Sequence, residues 1–115
     1  MLYKGSCHCG NVAFEVEGEL TGAVECNCSI CSRKGALLWA VPHEKLIWRG
    51  SKTDLGTYTF NNHAIAHRFC QNCGIHPYAE DVAAKGERNA YINIRCIEDL
   101  DLASVSKFEF DGRSV

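Results

Sequence analysis

The sequence has no apolar run approaching the roughly 20 residues that cross a bilayer. It also has no block of like-signed charge: 12 basic and 14 acidic residues are scattered along it, for a net charge of -2. That scatter argues against the clustered basic face of a nucleic-acid platform and against a polybasic membrane contact. The first residues, Met1 to Cys7, lack the charged segment followed by an apolar stretch that marks a secretory signal. There is no internal repeat, low-complexity tract or linker. The expectation is a cytoplasmic protein without nucleic-acid or membrane partners. At 115 residues the length fits one domain over 1–115, large enough to bury roughly two thirds of its unfolded surface.

Cysteine is what the chain has in excess. Eight are present, as a pair (Cys7, Cys9), a triplet (Cys26, Cys28, Cys31), a second pair (Cys70, Cys73) and a lone Cys96. In a secreted miniprotein such a count indicates a disulfide framework; in a reducing compartment it indicates metal binding or catalysis. Three thiols within six residues do not form a disulfide set, because a bridge requires a specific separation of its two Cα atoms. They can all turn inward on one zinc ion, which takes sulfur at about 2.3 Å in a tetrahedron.

Counting ligands divides the thiols. Seven clustered cysteines do not complete two four-thiolate sites. The simplest partition joins Cys7, Cys9, Cys70 and Cys73 in one closed structural zinc. The Cys-x-x-Cys-Gly run at Cys70 has the spacing of a zinc knuckle, and the clamp ties an N-terminal turn to a turn some sixty residues later. Cys26, Cys28 and Cys31 are then one ligand short, as an open catalytic zinc site is. The alternative completes the triplet with Cys96, giving a second structural zinc. Against it, Cys96 shares a face with Ile92 and Ile94, where a free cysteine behaves as a small buried hydrophobe.

The histidines are expected outside both sites. His8 lies between two proposed ligands and points away from their ion. His67 falls on the apolar face of its strand as a hydrogen-bonded core residue. His43, His63 and His76 sit in polar or turn settings and are expected to be exposed. Arg33 and Lys34 follow the triplet, either as solvated surface charge or as a carboxylate-holding pair beside it. Arg95 is a further candidate for that role.

Strand-like alternation recurs in short segments. Asn11 to Glu17 places Val12, Phe14 and Val16 on one face. Short strands follow at Ala23 to Glu25, Leu46 to Trp48 and Leu55 to Phe60, with Asn61-Asn62 as a turn. Ala36 to Val41 is a continuous apolar run, expected as a buried strand. Ala64 to Phe69 and Ile75 to Glu80 form two arms of a hairpin, and Tyr91 to Cys96 alternates again. Ser29 to Gly35 fits a loop or a single helical turn, Ala83 to Asn89 a loop, and Glu98 to Ser104 one helical turn. Phe108 and Phe110 mark a last strand. The fold class is mainly β, built of short antiparallel sheets with little helix.

Gly5-Ser6-Cys7-His8-Cys9-Gly10-Asn11-Val12, Cys26-Asn27-Cys28-Ser29-Ile30-Cys31 and Phe69-Cys70-Gln71-Asn72-Cys73-Gly74 together resemble the glutathione-dependent formaldehyde-activating enzyme family. This is also called the centromere protein V/formaldehyde-activating domain. Asn93-Ile94-Arg95-Cys96 and Phe110-Asp111-Gly112 resemble its later landmarks. The resemblance implies a zinc-stabilised Mss4-like fold. It implies a structural zinc on Cys7, Cys9, Cys70 and Cys73 and a catalytic zinc on Cys26, Cys28 and Cys31. The activity implied is adduct formation between glutathione and formaldehyde, formally a carbon–sulfur lyase in reverse. Its partners would be a small thiol such as glutathione and an aldehyde. A non-catalytic zinc-binding module and a thiol or zinc sensor are the alternatives on the same fold. The sequence gives no oligomeric state.

Overall fold

The computed structural model describes residues 1–50, 52–61, 63–82 and 88–114. The loop expected over Ala83 to Asn89 lies mostly outside these residues, as does Asn62 of the expected Asn61-Asn62 turn. Among the described residues, ten strands form two sheets. β1 (Leu2–Ser6), β2 (Ala13–Glu17) and β5 (Leu46–Trp48) make the small sheet, in the order β1-β2-β5. The large sheet contains β3 (Gly22–Cys26), β4 (Leu38–Pro42), β6 (Leu55–Tyr58), β7 (Ile65–Cys70), β8 (Tyr78–Asp81), β9 (Asn89–Asn93) and β10 (Ser106–Phe110). Its order is β10-β3-β4-β9-β8-β7-β6. Every ladder is antiparallel except β10 against β3, which is parallel and pairs Phe110 with Cys26. The mainly β class with little helix is therefore the observed one.

Period-2 burial explains the strands. In β2, Phe14 and Val16 are buried while Glu17 faces solvent. Phe14 meets Tyr78 of the large sheet at 6.4 Å between ring centroids, and Trp48 meets the same tyrosine at 6.1 Å. Edge-on aromatic pairs of this kind add roughly 0.5–1.5 kcal/mol each beyond burial. Here they join the two sheets. Ile92 and Ile94 are fully buried in the same core with Trp39, Val41 and Val105. Each such side chain stabilises the fold by roughly 1.5–3 kcal/mol.

The continuous apolar run before Pro42 has a specific reason. On β4, Trp39 and Val41 point into the core, whereas Leu38 and Ala40 line a cleft on the other face. Both faces are apolar, so no alternation shows in the sequence.

Two expected boundaries shift. The strand read as Tyr91 to Cys96 begins at Asn89 and stops at Asn93. The Asn93 side chain accepts a hydrogen bond from the Arg95 N–H and caps a 3₁₀ turn over Ile94–Cys96. Asn side chains offer the backbone this local alternative to a ladder. Asp101 does the same for Ala103 at the 3₁₀ turn Leu102–Ser104. The short segment after Cys28 is a helix, α1 (Ser29–Lys34), closed by a hydrogen bond from the Gly35 N–H to the Cys31 carbonyl at 3.0 Å.

Candidate functional site

Cys7 and Cys9 sit in the turn between β1 and β2, while Cys70 ends β7 and Cys73 lies in the turn leading to β8. Each turn closes tightly: the Gly10 N–H donates to the Cys7 carbonyl at 3.3 Å and the Gly74 N–H to the Cys70 carbonyl at 2.8 Å. Gly10 and Gly74 adopt φ of 84° and 82°, which a side chain would strain. The four sulfurs lie within 4.8 Å of one another, with Cys7 to Cys9 and Cys9 to Cys70 both 3.6 Å apart. Sulfurs on a tetrahedral zinc stand about 3.8 Å apart, given bonds near 2.3 Å. The donor set and spacing therefore fit a metal ion.

Backbone amides already point at these sulfurs. The Val12 N–H donates to Cys7 Sγ at 3.3 Å and the Cys73 N–H to Cys70 Sγ at 3.4 Å. The backbone N–H of Ile75 leads the causes that lower the Cys73 thiol to about 6. A thiolate so stabilised is ready to ligate.

The second group forms where β3 runs into α1. Cys26 ends the strand, Cys28 is the residue before the helix, and Cys31 lies inside it. Their three sulfurs also lie within 4.8 Å of one another. Among the described residues no fourth His, Cys, Asp or Glu joins them at that spacing. Burial pushes the Cys31 thiol up to about 12, with the neighbouring Cys28 and Cys26 sulfurs adding to it. For Cys28 burial also works upward, but the N–H groups of Cys31 and Ile30 help bring the net shift below the ordinary thiol value. Two groups of cysteines could thus each hold a metal ion, one with four sulfurs and one with three.

Cys96 belongs to neither group. Its sulfur lies 3.8 Å from the His76 carbonyl, and it packs on the main core. It does not complete the triplet.

The last described residues finish the triplet's surroundings. The Asn27 N–H donates to the Phe110 carbonyl at 3.2 Å. Its side-chain amide donates to Asp111 Oδ1 at 2.9 Å and accepts from the Arg113 N–H at 2.9 Å. Gly112 is thereby held against Cys26 and Cys28.

Two hollows share Cys26, Cys31 and Ala36 as a common wall. The larger is a cleft of about 470 Å³ with Ile30, Leu38, Ala40, Phe60 and Ile65 among its walls. Lys34, His67 and His76 also line it. The smaller, about 230 Å³, is lined by Glu25, Arg95 and Lys107 besides the shared residues.

Lys34 Nζ lies 3.4 Å from His67 Nδ1. Lys34 is exposed as a residue, yet desolvation lowers its pKa to about 8 against the upward pull of the Cys31 and Cys28 sulfurs. Burial, then the Lys34 charge, brings His67 down to about 4. Burial and Lys34 do the same to His76, whose Nδ1–H donates to the Arg68 carbonyl at 2.7 Å. Both imidazoles are neutral at pH 7. His67 is thus a cleft residue rather than a core residue, and His43 and His76 are half-buried rather than exposed. His63 is exposed as expected, and His8 is exposed as well.

Of the expected carboxylate holders, Lys34 and Arg95 each line one hollow. Arg33 turns back onto its own helix, where Nη1 donates to the Ser29 carbonyl at 2.7 Å. Sequence reasoning missed Lys107 and Phe60, for which no local motif exists; Gly112 stood in the Phe110-Asp111-Gly112 landmark, without its contact to the triplet. It also missed Glu80, a buried carboxylate bound by His43 at 2.7 Å, Arg68 at 2.9 Å and Arg88 at 3.3 Å.

A family model for the glutathione-dependent formaldehyde-activating enzyme matches residues 2–109. The chain belongs to that family. Membership in the formaldehyde-activating family supports a glutathione-related, formaldehyde-activating role. A crystal structure of a Rhodobacter sphaeroides protein is similar at 29% identity and a TM-score of 0.77, covering 91% of this chain and 99% of that one. The two-sheet architecture is consistent with the Mss4-like fold expected of the formaldehyde-activating family. Among the described residues no helix is long and apolar enough to cross a membrane.

Proposed function

We propose that this protein is a zinc-dependent carbon–sulfur lyase that makes and breaks adducts between a small thiol such as glutathione and an aldehyde. Cys7, Cys9, Cys70 and Cys73 hold a structural zinc, and Cys26, Cys28 and Cys31 hold a catalytic one. The observation that carries this reading is the three-sulfur group, short of a fourth ligand among the described residues, on the wall between two hollows. When bound there, zinc supplies a soft Lewis-acid corner that takes an external thiol as thiolate.

The chain's own residues supply the rest. Arg95 and Lys107 offer charge to the thiol's carboxylates in the smaller hollow, and Glu25 offers charge to its ammonium. As sulfur attacks the carbonyl carbon, a C–S bond forms and the C=O π pair moves to oxygen. That oxygen takes a proton from Lys34 Nζ, while the proton lost by the thiol goes to solvent, which later recharges the lysine. In reverse, neutral Lys34 takes the hydroxyl proton as the C–S bond breaks. Neutral His67, beside Lys34, leaves the ammonium as the proton source in the cleft.

The test follows exchange between S-hydroxymethylglutathione and its free components by nuclear magnetic resonance. Zinc-loaded protein should accelerate exchange, and Cys28→Ser should not. No acceleration with any of several thiol–aldehyde pairs would overturn the reading.

A further inference from the structure

The cleft beside the triplet also bears on which aldehyde is used, an inference that rests on the thiol–aldehyde reading. Leu38 and Ala40 put apolar side chains on the face of β4 turned away from the core, where a solvated strand carries polar ones. Ile65 and Phe110, which also line the cleft, are 36% and 51% exposed. Apolar surface gathered around a concavity marks a binding site. Phe60 stacks on His67 at 5.5 Å with 26° between planes.

The charge inventory excludes the thiol's arms from this cleft. Glutathione carries two carboxylates and an ammonium. Apart from the cysteine sulfurs, Lys34 is the one charged group among the described lining residues. The adjoining hollow presents both signs, through Arg95, Lys107 and Glu25. Formaldehyde, a single carbon, has no body to place against walls enclosing about 470 Å³.

We propose that the cleft receives the carbon body of the aldehyde, so that apolar aldehydes of benzaldehyde size or larger are handled in preference to formaldehyde. The carbonyl carbon then lies at the triplet, and the apolar group runs along Leu38 and Ala40 toward Phe60 and Ile65.

Stable thioethers test this by calorimetric titration of the zinc-loaded protein. S-benzylglutathione stands for the adduct of an aromatic aldehyde without its hydroxyl, and S-methylglutathione for that of formaldehyde. The benzyl compound should bind roughly 10- to 100-fold more tightly, the gain expected from burying one ring. Ala40→Asp places a charge on the cleft wall at an exposed position; it should abolish that ratio and leave glutathione affinity unchanged. Ile65→Asp on the rim is a second variant with the same expectation. Equal affinities for the two thioethers, with glutathione still bound, would overturn this proposal and leave the thiol–aldehyde reading standing. A benzyl preference that survives in both variants would also overturn it. Failure of glutathione and both thioethers to bind would overturn both.

Discussion

A Cβ at Gly112 would lie 2.5 Å from Cys26 Sγ and 3.1 Å from Cys28 Cβ. A residue more than eighty positions downstream is therefore kept bare so that one sulfur of the triplet can sit where it does. Gly112→Ala should displace Cys26 and weaken the three-sulfur site while the four-sulfur site keeps its ion. Metal analysis should show zinc falling from about two per chain toward one, with little change in melting temperature.

The two cysteine groups should respond differently to loss of a ligand. Cys28→Ser should yield a folded protein with about one zinc and no thiol–aldehyde activity. Cys70→Ser removes a ligand that joins turns of two different sheets, so it should lose both metal and cooperative unfolding. Circular dichroism melts with parallel metal assay separate the two outcomes.

Lys34 should impose a pH limb. Its ammonium is present below about 8 and lost above. With the thiolate already bound, the kcat for adduct formation should therefore decline as pH rises through that value, while the kcat for breakdown, which needs the neutral amine, should rise. Lys34→Arg keeps the charge but does not release a proton in this range, so both limbs should vanish.

Glu80 is a stability element away from the cleft. Burial opposes its ionisation, but hydrogen bonds from His43 and Arg68 outweigh this and hold its pKa below the ordinary carboxylate value. Because the folded value is depressed, its contribution is complete above the unfolded pKa, about 4.3, and is lost as pH falls through the folded value. Glu80→Ala leaves Arg68 and His43 without their anion and should cost about 2–4 kcal/mol near pH 7, measured by urea denaturation.

The cysteine groups were legible because ligand spacing is local: Cys70 and Cys73 need only their own turn, and Cys26, Cys28 and Cys31 only a strand end and one helical turn. The buried face of β2 was legible for the same reason. The cleft was not. Lys34 meets His67 through the placement of α1 against β7, which no periodicity encodes. His67 follows the strand alternation onto an apolar face, yet that face borders a cavity instead of the core. Gly112 reaches Cys26 through the parallel pairing of β10 with β3, a contact between distant segments. Asn93 ended a strand whose side-chain pattern continued to Cys96, because a side-chain cap replaced the ladder.

The shared wall of the two hollows has a kinetic consequence. If each reactant has its own entrance to the same sulfurs, neither has to wait for the other. Initial-rate plots against one reactant at fixed levels of the other should then intersect, and product inhibition should reveal no compulsory order. The enzyme would be a meeting point with two doors.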